Sequence, residues 1–107
     1  MDIRELTQVM HQFVQSQNWY DDDSPRPQKL RNLAISLSLE SAEVLEHFQW
    51  RENLDDRSAF GEELADVALY LLQLASLAGI DLEQAILSKL ERNYQRTWDT
   101  GQPQKEP

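Results

Sequence analysis

The sequence predicts an all-α fold, a single domain built as a four-helix bundle, on three observations. Apolar residues recur at steps of three and four in four separate segments, the spacing that lines up one face of a helix. Gly and Pro interrupt regular structure and are few, three and four in 107 residues; Pro25, Pro27 and Gly79 fall between the periodic segments. The composition, 40% hydrophobic and rich in the helix formers Leu, Ala, Gln and Glu, suits packed helices better than a disordered chain.

Helix one carries Ile3, Leu6, Val9, Met10, Phe13 and Val14 on one face, opens at a capping box of Asp2 and Glu5, and ends near Asn18. The stretch Trp19 to Pro27 has two prolines, three consecutive Asp and no period, and is expected to be a loop with the Asp run solvated. Helix two is expected from Gln28 to Gln49. Leu30, Leu33, Ala34, Leu37, Val44 and Phe48 form one stripe, Ile35, Leu39 and Ala42 lie on a second face, and Glu40 and Glu43 fall in the gap between. A helix apolar on two sides is central to its bundle or covered by a second subunit. So short a chain can hardly cover both faces alone, so cover by a second subunit is expected.

Helix three is expected to start after a cap at Asn53 or Asp55 and to stop at Gly79, with Leu64, Val67, Leu71, Leu74, Ala75 and Ala78 as its stripe. Asp81 caps helix four, whose inward face of Leu82, Ala85 and Ile86 continues through Lys89 and Asn93. Polar groups at such positions need partners. For Lys89 that partner is a carboxylate of a neighbouring helix or a phosphate. The domain is expected to span 1–99, followed by a flexible tail over 100–107.

A formal net charge of −9 argues against nonspecific binding to nucleic acid or to an anionic membrane, both of which need surplus Lys and Arg. No stretch is apolar and long enough to cross a bilayer, and Met1 to Glu5 lacks the layout of a secretory signal. Without Cys there is neither disulfide nor thiolate chemistry, and a cytoplasmic location is the expectation.

The chemistry is carried by Glu40-Ser41-Ala42-Glu43 and Glu63-Leu64-Ala65-Asp66, two acid-x-x-acid pairs on neighbouring helices. Residues three apart on a helix share a face, so each pair aims as a unit. Antiparallel packing across the short Arg51 to Arg57 connection would bring four carboxylates together. Such a cluster is either splayed into water or neutralised by a cation. Glu63 flanks the apolar stripe while Glu62 points away from it, which assigns Glu63 to the site. An all-oxygen ligand set suits Mg²⁺ or Mn²⁺ better than zinc. A di-iron bundle would need Glu-x-x-His, and neither His47 nor His11 has that spacing to an acid of the cluster. Trp19, Trp50 and Tyr70 are either core residues or, beside a phosphate-binding metal, a platform for a base.

The runs Arg31 to Leu33, Leu39 to Trp50, Glu62 to Tyr70 and Ser88 to Asn93 resemble the MazG-like all-α nucleoside triphosphate pyrophosphohydrolases, in particular their dCTP pyrophosphatase branch. The resemblance implies a Mg²⁺-dependent enzyme that cleaves a (d)NTP to monophosphate and pyrophosphate in control of the nucleotide pool. It implies Glu40, Glu43, Glu63 and Asp66 as metal ligands. Trp19, Trp50 and Tyr70 would surround base and sugar, with Lys89 and Asn93 on phosphates. It also implies a homotetramer of tightly packed dimers. Glu43 or Glu46 would orient the attacking water. The competing expectations are a noncatalytic helical interaction module and a nucleotide-binding sensor without turnover.

Overall fold

The computed structural model describes residues 1–96. The chain is all-α, with α1 (Ile3–Ser16), α2 (Leu30–Glu46), α3 (Arg57–Leu77) and α4 (Leu82–Gln95). The expected tail from Thr100 onward lies outside the described residues. Among the described residues, no single helix is long and apolar enough to cross a membrane.

Local chemistry sets each boundary. Asp2 caps α1 by accepting the Glu5 N–H at 2.8 Å. At the other end Asn18 takes the left-handed conformation, with φ 61°. Its N–H then bonds Gln15 O at 2.9 Å and that of Trp19 bonds Val14 O at 3.3 Å. This is the Schellman arrangement, in which Asn is tolerated second only to Gly. It folds Trp19 back along α1, where the indole meets Phe13 edge-on with centroids 5.7 Å apart.

Helix α2 is shorter than its expected Gln28 to Gln49. Lys29 precedes it without a side-chain cap, because an ammonium group has no acceptor to offer the first N–H groups, and Gln28 is turned onto Arg26 O at 2.6 Å. After Glu46 the N–H groups of Phe48 and Gln49 close a turn onto Leu45 O and Glu46 O at 2.9 and 3.2 Å. The cap of α3 is Asp56, which accepts the Ala59 N–H at 3.0 Å, and not Asn53 or Asp55. Asp55 instead pairs with Arg51 at 2.8 Å across the connection. Gly79 ends α3 in a second Schellman turn, with φ 73°, and Asp81 caps α4 through the Gln84 N–H at 3.1 Å.

Helix α3 lies at the centre, against α2 along most of its length and against α1 and α4 as well. Met10, Val14 and Leu72 form the core between α1 and α3, with Trp19, Tyr20 and Leu82 packed on it. Leu33 of α2 is buried. The residues α3 buries are Leu72, Gln73 and Ala75, while Leu64 and Leu71 of the expected stripe are exposed. With α1 on one side and α2 on the other, burial wraps around the helix instead of following one stripe. Ile35 and Leu39, on the second face of α2, are open to solvent. Helix α4 turns 102° away from α3, buries no residue fully and exposes Ile86, Leu87 and Leu90.

Candidate functional site

The α2–α3 hairpin is braced at its closed end. Phe60 of α3 meets His47 and Phe48 in T-shaped contacts, at centroid distances of 5.3 and 5.7 Å, and the Arg51–Asp55 pair lies within the connection. With the register fixed there, the acid-x-x-acid faces meet one helical turn further in. Carboxylate oxygens of Glu40, Glu43 and Glu63 all come within 4.8 Å of one another. Asp66 stands beside them, close enough for its charge to act on both Glu40 and Glu63. Glu62 is exposed on the other flank.

Like charges this close oppose full ionisation. Burial, followed by the hydrogen bond and charge of Glu43 and the charges of Asp66 and Glu63, pushes the Glu40 carboxyl above its ordinary value. Glu63 is pushed up first by its hydrogen bond with Glu43 and then by burial, against a partial offset from His47, whose Nε2 lies 4.0 Å from Glu63 Oε1. One oxygen on each, Oε2 of Glu40 and Oε2 of Glu63, is closed off from solvent with no hydrogen-bond donor among the described residues. Occluded carboxylate oxygens without donors are costly. All-oxygen donors gathered at this spacing fit a hard divalent cation, which would satisfy both.

Beyond Asp66 the hairpin opens into a cleft of about 590 Å³, within the range of small-molecule sites. Asp66, Tyr70 and Gln73 of α3, at helical steps of four and three, form one wall; Asn32, Leu33 and Ser36 of α2 form another. Trp19 closes it from the α1 side with Phe13, and the Arg26 guanidinium sits over the Trp19 ring, 5.4 Å from its centroid. Asp66 thus lines the cleft while its charge acts on the neighbouring acids.

The other expected site residues belong neither to the three-acid group nor to the lining of the cleft. Glu46 is exposed at the last position of α2. Trp50, 86% accessible, projects from the α2–α3 connection. Lys89 and Asn93, four apart and both half-buried on α4, do not line the cleft. Several residues at the site were not foreseen. His47 follows Glu43 by four and so shares its face, a spacing that could have marked it as a partner of the acids. Gln73 follows Tyr70 by three and Asp66 by seven on the same rule. Arg26 and Gln28 gave no such signal, because a loop has no period.

These features define a class, an all-helical domain with a carboxylate cluster at the mouth of an aromatic-walled cleft. The sequence pattern of the MazG-like family matches residues 35–104, and the chain belongs to that family. It is 32% identical over 103 residues to dCTP pyrophosphatase 1 of Mus musculus, a match covering 88% of this chain and 58% of the relative. The chain thus spans a little over half the length of the curated relatives it matches. A dATP/dGTP diphosphohydrolase of Salmonella phage PMBT28 is 50% identical over 36 residues, 34% of this chain and 12% of that protein. The crystal structure of a pyrophosphatase from Archaeoglobus fulgidus superposes with a TM-score of 0.72 at 34% identity, covering 86% of this chain and 88% of the other.

Proposed function

We propose that the chain is a Mg²⁺-dependent nucleoside triphosphate pyrophosphohydrolase, with dCTP or another dNTP as substrate, acting in control of the nucleotide pool. The observation that carries this reading is the meeting of the Glu40, Glu43 and Glu63 oxygens within 4.8 Å of one another, with Asp66, one turn from Glu63 on α3, on the wall of the cleft. The names of the mouse, phage and archaeal relatives agree with it.

In this reading Glu40, Glu43, Glu63 and Asp66 hold Mg²⁺, or Mn²⁺ in its place. A divalent ion there supplies charge neutralisation on the phosphoryl oxygens and lowers the pKa of an adjacent water. Water oxygen bonds to the α-phosphorus, the bond from that phosphorus to the bridging oxygen breaks, and pyrophosphate leaves with the electron pair. Glu43 is both exposed and within the cluster, which suits it to take the water's proton; Glu46 is held one turn further along α2. Trp19 and Tyr70 enclose the base. The test is pyrophosphate release from a dNTP panel with and without Mg²⁺. Release in Mg²⁺ alone is expected; nucleotide binding without release would instead identify a sensor, and neither would identify an interaction module.

The same reading includes a homo-oligomer, a dimer or a tetramer of dimers. Ile35 and Leu39 of α2, Leu64 and Leu71 of α3, and Ile86, Leu87 and Leu90 of α4 are exposed, more apolar surface than a small monomer ordinarily leaves bare. Trp50, Lys89 and Asn93, which stand away from the cleft, would act on base and phosphates in such an assembly. Light scattering is expected to give at least twice the chain mass, and Leu39→Glu is expected to reduce it. A monomeric parent chain would remove this part of the proposal.

A further inference from the structure

A polar relay runs behind the cleft. Gln28 Nε2 donates to the Arg26 carbonyl at 2.6 Å, and Gln73 Nε2 donates to Gln28 Oε1 at 2.8 Å and to Tyr20 Oη at 3.2 Å. The Tyr20 hydroxyl lies 2.5 Å from His11 Nδ1, and His11 Nε2 lies 2.7 Å from Ser76 Oγ. A backbone carbonyl can only accept, so Gln28 must turn its NH₂ toward Arg26 and its oxygen toward Gln73. Gln73 therefore presents N–H groups to Gln28 and Tyr20. Beyond Gln73 the Tyr20 and Ser76 hydroxyls can each donate or accept, so either neutral tautomer of His11 completes the relay. The direction is fixed from Arg26 through Gln28 to Gln73, and burial holds the His11 pKa below its ordinary value.

The consequence falls on Gln73. It is only 4% accessible and lines the cleft beside Tyr70. Both its amide hydrogens are engaged behind the wall, so what it can offer a ligand is its carbonyl oxygen, and turning the amide over would break the bond anchored at Arg26. We propose that Gln73 is the residue by which the cleft selects the base, accepting a hydrogen bond from an exocyclic amino group and excluding bases that carry an oxo group at that position. Cytosine and adenine satisfy the acceptor. Uracil and hypoxanthine would set oxygen against oxygen and leave a buried acceptor unpaired, the situation in which polar sites discriminate most strongly. This inference rests on the nucleotide-binding reading above.

The test is calorimetric binding of two pairs differing only by amino for oxo, dCMP against dUMP and dAMP against dIMP, to the full chain. The amino member of each pair that binds is expected to bind at least about tenfold tighter. Gln28→Leu releases the Gln73 amide to turn without opening the core, and is expected to cut the preference to within about twofold. Gln73→Glu, which cannot donate to Gln28 or Tyr20 at neutral pH, is expected to lower affinity for every member. Equal binding of amino and oxo members, or a Gln28→Leu variant that keeps the full preference, would overturn the proposal. If the dNTP panel shows turnover indifferent to amino or oxo, this inference fails and the enzymatic reading stands. If no nucleotide binds at all, both fall.

Discussion

Glu63→Gln is expected to lower kcat by more than about a hundredfold while leaving the metal-free protein at least as stable as the parent. Loss of residues that merely orient metal ligands commonly costs ten- to a hundredfold in activity or metal affinity, so loss of a ligand should exceed that. The amide keeps the shape of the side chain but removes one of the crowded charges. It therefore relieves Glu40 and Glu43, whose oxygens come within 4.8 Å of those of Glu63. Activity and stability should move in opposite directions, a result that a fold defect cannot produce. Glu46→Gln, altered outside the cluster, is expected to stay within a few-fold of the parent in the same assay. Pyrophosphate release and thermal melts in EDTA check both variants; undiminished release by Glu63→Gln would remove this residue from the mechanism.

Mg²⁺ is expected to raise the melting temperature by an amount that grows with pH. In EDTA, Glu40 and Glu63 bind protons more tightly folded than unfolded, since both carboxyls are pushed up. The folded state then holds the extra protons, and their contribution to stability declines as pH rises from the ordinary carboxylate range through the raised values. The cation binds the ionised forms and displaces those protons, so its stabilisation is fullest above that window and fades as the pH falls into it. At a hundredfold excess over Kd, binding adds about 2.7 kcal/mol, on the order of 10 °C in a domain of this size. His11 works in the other direction, because burial lowers its pKa from 6.5 and its stabilisation, full above that ordinary value, is lost as pH falls from it through the lowered one. The difference between melts with and without Mg²⁺ at each pH isolates the carboxylates. A Mg²⁺ shift equal at pH 5 and pH 7.5 would contradict this account.

Four helices were legible because the step of three and four is a strong signal over fourteen residues or more, and three starts, at Asp2, Asp56 and Asp81, rest on an acidic side chain closing on a backbone N–H three residues on. The α3 cap was misplaced onto Asn53 or Asp55 because neighbouring Asn and Asp side chains offer the same acceptor; in the fold Asp56 takes the Ala59 N–H and Asp55 pairs with Arg51. The acid cluster was legible for the same periodic reason. What the sequence could not convey was the packing of α3 between two neighbours, which buries Gln73 and leaves Leu64 and Leu71 outside. Nor could it convey the path of the loop before α2, where Arg26 and Gln28 meet Trp19 and Gln73 through contacts far apart in the chain.

The joint between α2 and α3 works as a gauge. Phe60 wedged against His47 and Phe48 sets how far each rod slides past the other before its acids come opposite. One residue removed between Phe60 and Glu63 would rotate everything after it by about 100° and carry Glu63 and Asp66 away from Glu40 and Glu43 together. Length in this joint is consequently far less free to drift than composition, and grafts or fusions into the domain belong elsewhere.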